Sequence, residues 1–179
     1  CSFRTARESH TLDVRRFGAK GDGASNDTYA LQAAICCCPE GGRVLIPAGE
    51  YSTNPLFLKS HMTLELQKGA VLSLRPETPD FPVLPGVTLS KGDGDDYFLG
   101  SWEGNPLDNY ASLLTCVNVT DVRLIGDGVL DGKADRDGWW HEPKKRYGTY
   151  RGHLLFMTGC RDVTVQGLTF RNSPSWNIH

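Results

Sequence analysis

The 179-residue sequence has no run near the roughly 18 consecutive apolar residues that a membrane-spanning helix requires, so no bilayer-crossing helix and no membrane partner are expected. It also lacks a charge excess of either sign: 19 Lys and Arg stand against 21 Asp and Glu, a formal net charge of −2. A polyanion-binding surface needs a basic surplus, so nucleic acid is not an expected partner. No Cys-x-x-Cys pair and no His pair at i, i+4 occurs, and neither a metal site nor any other cofactor is predicted. Cysteine is present but not as a framework. Cys36, Cys37 and Cys38 are consecutive, whereas Cys1, Cys116 and Cys160 are scattered. That spacing favours a reduced, cytoplasmic setting over a secreted one, with the compartment itself left open. Cys1-Ser2-Phe3-Arg4-Thr5 is followed by no apolar signal core, so no targeting segment is read.

The chain is rich in turn formers, with 20 glycines and 10 prolines spread along it. One helical pattern stands out over residues 27–38, where Leu31, Ala34, Ile35 and Cys38 recur at i, i+3, i+4, i+7 behind Asn26 or Asp27 as cap, before Pro39 and Gly41-Gly42. Elsewhere the period is two, as in Val14-Arg15-Arg16, Leu64-Glu65-Leu66, Val122-Arg123-Leu124 and Val163-Thr164-Val165, which predicts short strands. The strands repeat. Residues 111–126 align with 152–167 at the offset from Val122 to Val163, and Ile178 falls on Leu155 in a third copy. Units this short cannot bury an apolar face alone, whereas stacking them in register buries a continuous column. The expected fold is therefore an all-β, right-handed parallel β-helix. The 27–38 helix is expected to cap its N-terminal end, and the Lys133–Tyr150 insertion to project as a loop.

Val14-Arg15-Arg16-Phe17-Gly18-Ala19-Lys20-Gly21-Asp22-Gly23, Gly42-Arg43-Val44-Leu45-Ile46-Pro47-Ala48-Gly49, Leu56-Phe57-Leu58-Lys59-Ser60, Gly126-Asp127-Gly128-Val129-Leu130-Asp131-Gly132, Trp139-Trp140 and Asn172-Ser173-Pro174-Ser175-Trp176-Asn177-Ile178-His179 together resemble the polygalacturonase family, glycoside hydrolase family 28, and its bacterial exo-acting branch best. The resemblance runs from about residue 12 to the end. It implies a hydrolase of α-1,4-linked galacturonan acting with inversion, and a polysaccharide or oligogalacturonide as partner. It also implies that residues 1–11 are a remnant of a preceding fibronectin type III-like domain, and that 12–179 are the N-terminal part of the β-helix. The family's catalytic aspartates lie in an Asn-Thr-Asp segment and a following Asp-Asp pair, then come Gly-His-Gly and Arg-Ile-Lys; no Asn-Thr-Asp, Gly-His-Gly or Arg-Ile-Lys occurs here, and the one Asp-Asp pair, Asp95-Asp96, stands well before Asn172-Ser173-Pro174 instead of after it. The chain is thus expected to lack the catalytic centre, to be inactive alone and to self-associate through its exposed last coil. Substrate is expected beside the ladder formed by Ser112, His153 and Trp176, with Arg151 offering a fork to a uronate carboxylate and His179 nearby. Arg151 is followed by Gly152 where the family usually has proline. Strict alternation would point Trp176 inward with Ile178.

Other features read as structural. Asp93, Asp95 and Asp96 form a solvated acidic loop, since Phe98 stands where a calcium loop needs glycine. Asp127 and Asp131 read as turn residues. Gly18, Gly21 and Gly23 have the wrong order for a dinucleotide loop. Asn26-Asp27-Thr28 and Asn118-Val119-Thr120 match a glycosylation pattern but suit a helix start and a coil turn. Trp139, Trp140, Tyr147 and Tyr150 suit packing of the inserted loop, with sugar stacking as the alternative. Two other functions fit the same fold: a calcium-dependent pectate lyase, and a non-catalytic β-helix that only binds polysaccharide.

Overall fold

A computed structural model of the protein describes residues 10–76, 80–87, 99–135, 139–142, 146 and 148–179. The expected preceding-domain remnant, apart from its last two residues, lies outside them, as do the 93–96 acidic loop and Tyr147.

Three parallel sheets are wound by one chain. The first takes Thr11–Asp13, Gly42–Ile46, Met62–Leu66, Thr120–Gly126 and Arg161–Gln166, in that order. The second takes Leu56–Phe57, Leu114–Val117 and Leu155–Thr158, and the third Asp22–Asn26, Gly49–Thr53, Ala70–Leu74, Val129–Asp131 and Thr169–Arg171. Each complete coil crosses the second, first and third sheets in turn, and the registers Leu114↔Leu155 and Val122↔Val163 are those of the repeat. This is the parallel β-helix that the repeat predicts.

Alternation decides what the coils enclose. Val44, Leu64, Leu124 and Val165 stack in one ladder of the first sheet. Tyr51, Leu72, Leu130 and Phe170 stack in the third, and Leu56, Leu114, Leu155 and Ile178 in the second. All are fully buried until the outermost coil, where Val165 and Ile178 are partly exposed. Corners repeat as faithfully as strands. Gly41, His61, Asp121 and Asp162 occupy the same entry to the first sheet, all with φ between 54° and 70°. Left-handed backbone there reverses the chain, and small polar residues or glycine tolerate it best. At the exit from the same sheet Gly126 has φ 119°, and a Cβ would lie 2.0 Å from the Leu66 carbonyl oxygen. Only glycine lets the coils meet at that corner.

Helix α1, Thr28–Cys37, buries Leu31, Ala34 and Ile35 in the core. It also closes the backbone of the first short strand. Phe57 N donates to Gln32 Oε1 and Gln32 Nε2 donates to Phe57 O, both at 2.9 Å, so one amide side chain replaces the neighbour that a strand edge lacks. Thr28 Oγ1 likewise accepts from Asn54 N at 2.8 Å. The cap differs in detail from expectation. Asn26 Oδ1 accepts from Thr28 N at 3.1 Å, whereas the Asp27 carboxylate turns back to accept from Lys20 N and Gly21 N, tying the preceding loop to the helix start.

Val14-Arg15-Arg16 is a correction: the strand is Thr11–Asp13, and Val14–Phe17 form a 3₁₀ turn. The Asp13 carboxylate accepts from Arg15 N at 2.9 Å and Gly18, at φ 99°, closes the turn, so local side-chain bonding overrides a two-residue pattern of one period. Asp131 is more than a turn residue. It accepts from Lys133 N at 2.9 Å, but its buried carboxylate also receives Arg171 through Nε and Nη2 and Asn172 Nδ2 from the next coil. Burial alone would raise its pKa, and these donors together hold it below the usual value.

Candidate functional site

Both long insertions, 75–113 and 132–154, leave the coil between the third and second sheets, so they emerge at one corner. They support each other there. Val83–Leu84 pairs antiparallel with Asn109–Tyr110, and Tyr110 N donates to Tyr150 O at 2.9 Å. Trp139 packs inward against Phe81 and Tyr110, at 6.4 and 6.2 Å between ring centroids, which is the packing role expected of the inserted loop. Trp140 and Tyr150 instead turn toward the entrance of the second sheet.

The predicted ladder is present in the backbone, where Leu113 N donates to His153 O at 3.2 Å and Leu154 N to Trp176 O at 3.3 Å, and side chains reinforce it: His153 N donates to Ser112 Oγ at 2.8 Å and Trp176 N to His153 Nδ1 at 3.3 Å. The side chains then diverge. Ser112 is buried and bonded to Thr115, so it holds the wall and is not open to ligand. His153 is 2% exposed and stacks between Trp102, at 6.4 Å, and His179, at 4.7 Å. Trp176 is 58% exposed and lies 5.5 Å from the His179 ring, because the third copy pairs only at Ile178 and the chain bends before it; the alternation that pointed it inward does not extend that far. Arg151, half-buried, places its guanidinium carbon 4.2 Å from the Trp140 ring centre and 5.5 Å from that of Trp102. All four predicted site residues therefore belong to one cluster of rings around a guanidinium.

Burial pushes the His153 imidazole down to about 4; the adjacent His179 ring adds to that, and the Ser101 backbone opposes it. Near neutral pH the ring is uncharged, with Nδ1 engaged as acceptor and the proton on Nε2. His179 Nδ1 is buried with no hydrogen-bond partner among the described residues, and His153 Nε2, also buried, has only the Ser101 backbone beside it, outside good hydrogen-bond geometry. Two stacked imidazoles with ring nitrogens poorly satisfied by the protein suit a hydroxyl-rich ligand, which can both donate and accept. Trp102 is the residue that sequence reasoning missed. It lies between glycines and polar residues with no periodicity, and nothing in its neighbourhood announces a site.

A cavity of about 450 Å³ opens elsewhere, on the third sheet beside Glu50, Ser73, Lys133 and Asn172. Its charges are matched: Lys133 Nζ lies 2.8 Å from Glu50 Oε1, and this bond, with that from Ser73, lowers the Glu50 pKa.

A family model for the pectate lyase-like fold of rhamnogalacturonase A and epimerases matches residues 11–65. A probable polygalacturonase of Vitis vinifera is 33% identical over 180 aligned residues, covering 96% of this chain and 34% of its own length. The exo-poly-α-D-galacturonosidase of Dickeya chrysanthemi is 34% identical over 139 residues, 72% of this chain and 20% of its own length. Polygalacturonases, the enzymes of glycoside hydrolase family 28, are thus among the homologues of this chain. The solved family 28 exopolygalacturonase of Yersinia enterocolitica superposes on the polygalacturonase-like coils with a TM-score of 0.75 at 26% identity, over 97% of this chain and 39% of that one. The chain thus spans about a fifth to two fifths of the length of these relatives.

Proposed function

We propose that this protein is a galacturonan-active β-helix of the polygalacturonase type, whose 179 residues hold the sugar chain without supplying the acid pair that cleaves it. The cluster carries the reading. Arg151, His153, Trp176 and His179 converge there with aromatic faces, imidazole nitrogens that the protein satisfies poorly and a guanidinium, which match the apolar faces, hydroxyls and carboxylate of a uronic acid. Sequence similarity to polygalacturonases supports the same substrate. In the parent activity, inverting hydrolysis calls for one carboxylic acid to protonate the leaving oxygen and a second carboxylate to activate water. The 179 residues contain no Asn-Thr-Asp segment, and buried carboxylates such as Asp27 and Asp131 are engaged in holding loops and coils together. The expected division is that exo-directed hydrolysis needs further coils and binding does not. A polysaccharide binder without catalysis is the second reading, favoured by the same lack of an acid pair.

The purified chain is to be titrated with trigalacturonate by calorimetry and incubated with polygalacturonate while new reducing ends are counted. Saturable binding with no reducing ends is expected. Release of reducing ends would overturn the division of labour, and no binding would overturn the substrate itself.

A further inference from the structure

The fold divides the dipeptide Trp139-Trp140. Trp139 packs against Phe81 and Tyr110 beside the core, whereas Trp140 is 41% exposed. Its exposure does not come from a loose side chain. The indole N–H donates to Ser173 O at 3.1 Å, the backbone N–H donates to Asp135 O at 3.0 Å, and the Arg151 guanidinium carbon stands over the ring, 4.2 Å from its centre. With one face under a cation and the N–H edge bonded, the surface left to water is the opposite face. A fixed indole with its polar edge satisfied and an apolar face in water suits a ligand that has an apolar side and a polar rim. A second exposed indole is tied to the same residue: Ser173 Oγ donates to Trp176 O at 2.8 Å, and Trp176 is 58% exposed. Exposed apolar residues scattered singly are ordinary, but two tryptophans from different segments fastened to one serine gather apolar surface at one place. Ser175 and the exposed Asn177, on either side of Trp176, add a hydroxyl and an amide.

We propose that Trp140 is a sugar-stacking residue whose open face receives the apolar side of a galacturonate ring, next to the segment that carries Trp176. This rests on the galacturonan reading and adds to it the residue that recognises the body of the sugar and not its charge. In a galacto-configured pyranose the axial oxygen on the fourth carbon leaves the hydrogens of the third, fourth and fifth carbons as one continuous apolar face. Stacking that face on an indole removes apolar area from water on both partners, and a ring already pinned by hydrogen bonds loses little freedom when it binds.

The test is hydroxyl-radical footprinting of the 179-residue chain with and without saturating trigalacturonate, read by peptide mass spectrometry. Tyr29, 84% exposed on helix α1, is the internal standard for radical dose. In the free chain Trp140 and Trp176 should oxidise faster than Trp139, and the ligand should protect Trp140 relative to Tyr29 while leaving Trp139 unchanged. Calorimetric titration should show Trp140→Ala binding trigalacturonate about tenfold more weakly, the size of one aromatic contact, with Trp140→Phe in between because it keeps a face but loses the N–H anchor. A purely structural role would lower the melting temperature of Trp140→Ala without protection of Trp140 in the wild-type chain. A chain that binds trigalacturonate with Trp140 unprotected, or a Trp140→Ala variant that binds as wild type does, overturns this inference and leaves the galacturonan reading standing. A wild-type chain that does not bind overturns both. If Trp140→Ala does not fold, the wild-type footprint and Trp140→Phe decide the matter.

Discussion

Truncating one ladder position at different depths tests whether stacked coils hold this protein together. Leu64 and Val165 point inward in the same column of the first sheet, two coils apart, with Leu124 between them. Leu64 is fully buried and has Val44 on its other side, whereas Val165 is 36% exposed on the outermost coil. Leu64→Ala removes three buried carbon atoms and leaves a void that neighbouring coils, pinned by their hydrogen bonds, cannot collapse, so about 2–5 kcal/mol should be lost. Val165→Ala removes two carbons from a site that water already reaches, and a loss below about 1 kcal/mol is expected. In a chain of this size each kcal/mol moves the melting temperature by about 2–4 °C, so the first variant should melt roughly 4–20 °C lower and the second within a few degrees of wild type. Urea titration followed by far-ultraviolet circular dichroism gives both values, provided the slope with denaturant is unchanged. Equal losses at the two positions, or a Leu64→Ala variant as stable as wild type, would refute the column as the source of stability.

Two further outcomes follow from a corner and from a buried ring. Gly126→Ala should cost about 2–4 kcal/mol, because backbone strain at φ 119° adds to a clash with the Leu66 carbonyl, whereas Gly18→Ala, at φ 99° with open space around it, should lose only the strain of about 1–2 kcal/mol; denaturant titration of the pair checks the difference. His153 has a folded pKa, about 4, below its unfolded value near 6.5, so the unfolded chain takes up the proton first and stability should fall as pH drops from about 6.5 to 4. His153→Phe should flatten that part of the curve, and an unchanged slope would show that the buried ring is not its source.

The relation between the two levels is clearest at the corner where the two insertions meet. The offset from Val122 to Val163 identified the coil, because in-register stacking of identical strands forces apolar positions to recur at one spacing, and that recurrence is written in the residues themselves. Leu31, Ala34 and Ile35 marked the helix by the same logic of period. Arg151, His153, Trp176 and His179 were nominated by sequence, and they converge because the segments that carry them flank the stacked pair Leu155 and Ile178. Trp102 could not be nominated: its place beside Arg151 depends on how a non-repeating insertion folds back, and no period in the sequence encodes that path. The orientation of Trp176 was misjudged by alternation, since a strand that pairs at a single residue imposes no phase on the residues before it. Asp131 looked like a turn residue because its turn bond to Lys133 is local, whereas the arginine and asparagine it also binds come from the next coil. Repetition and local bonding are therefore properties of the sequence, while exposure, ring stacking and the protonation of His153 exist only once distant segments have been brought together.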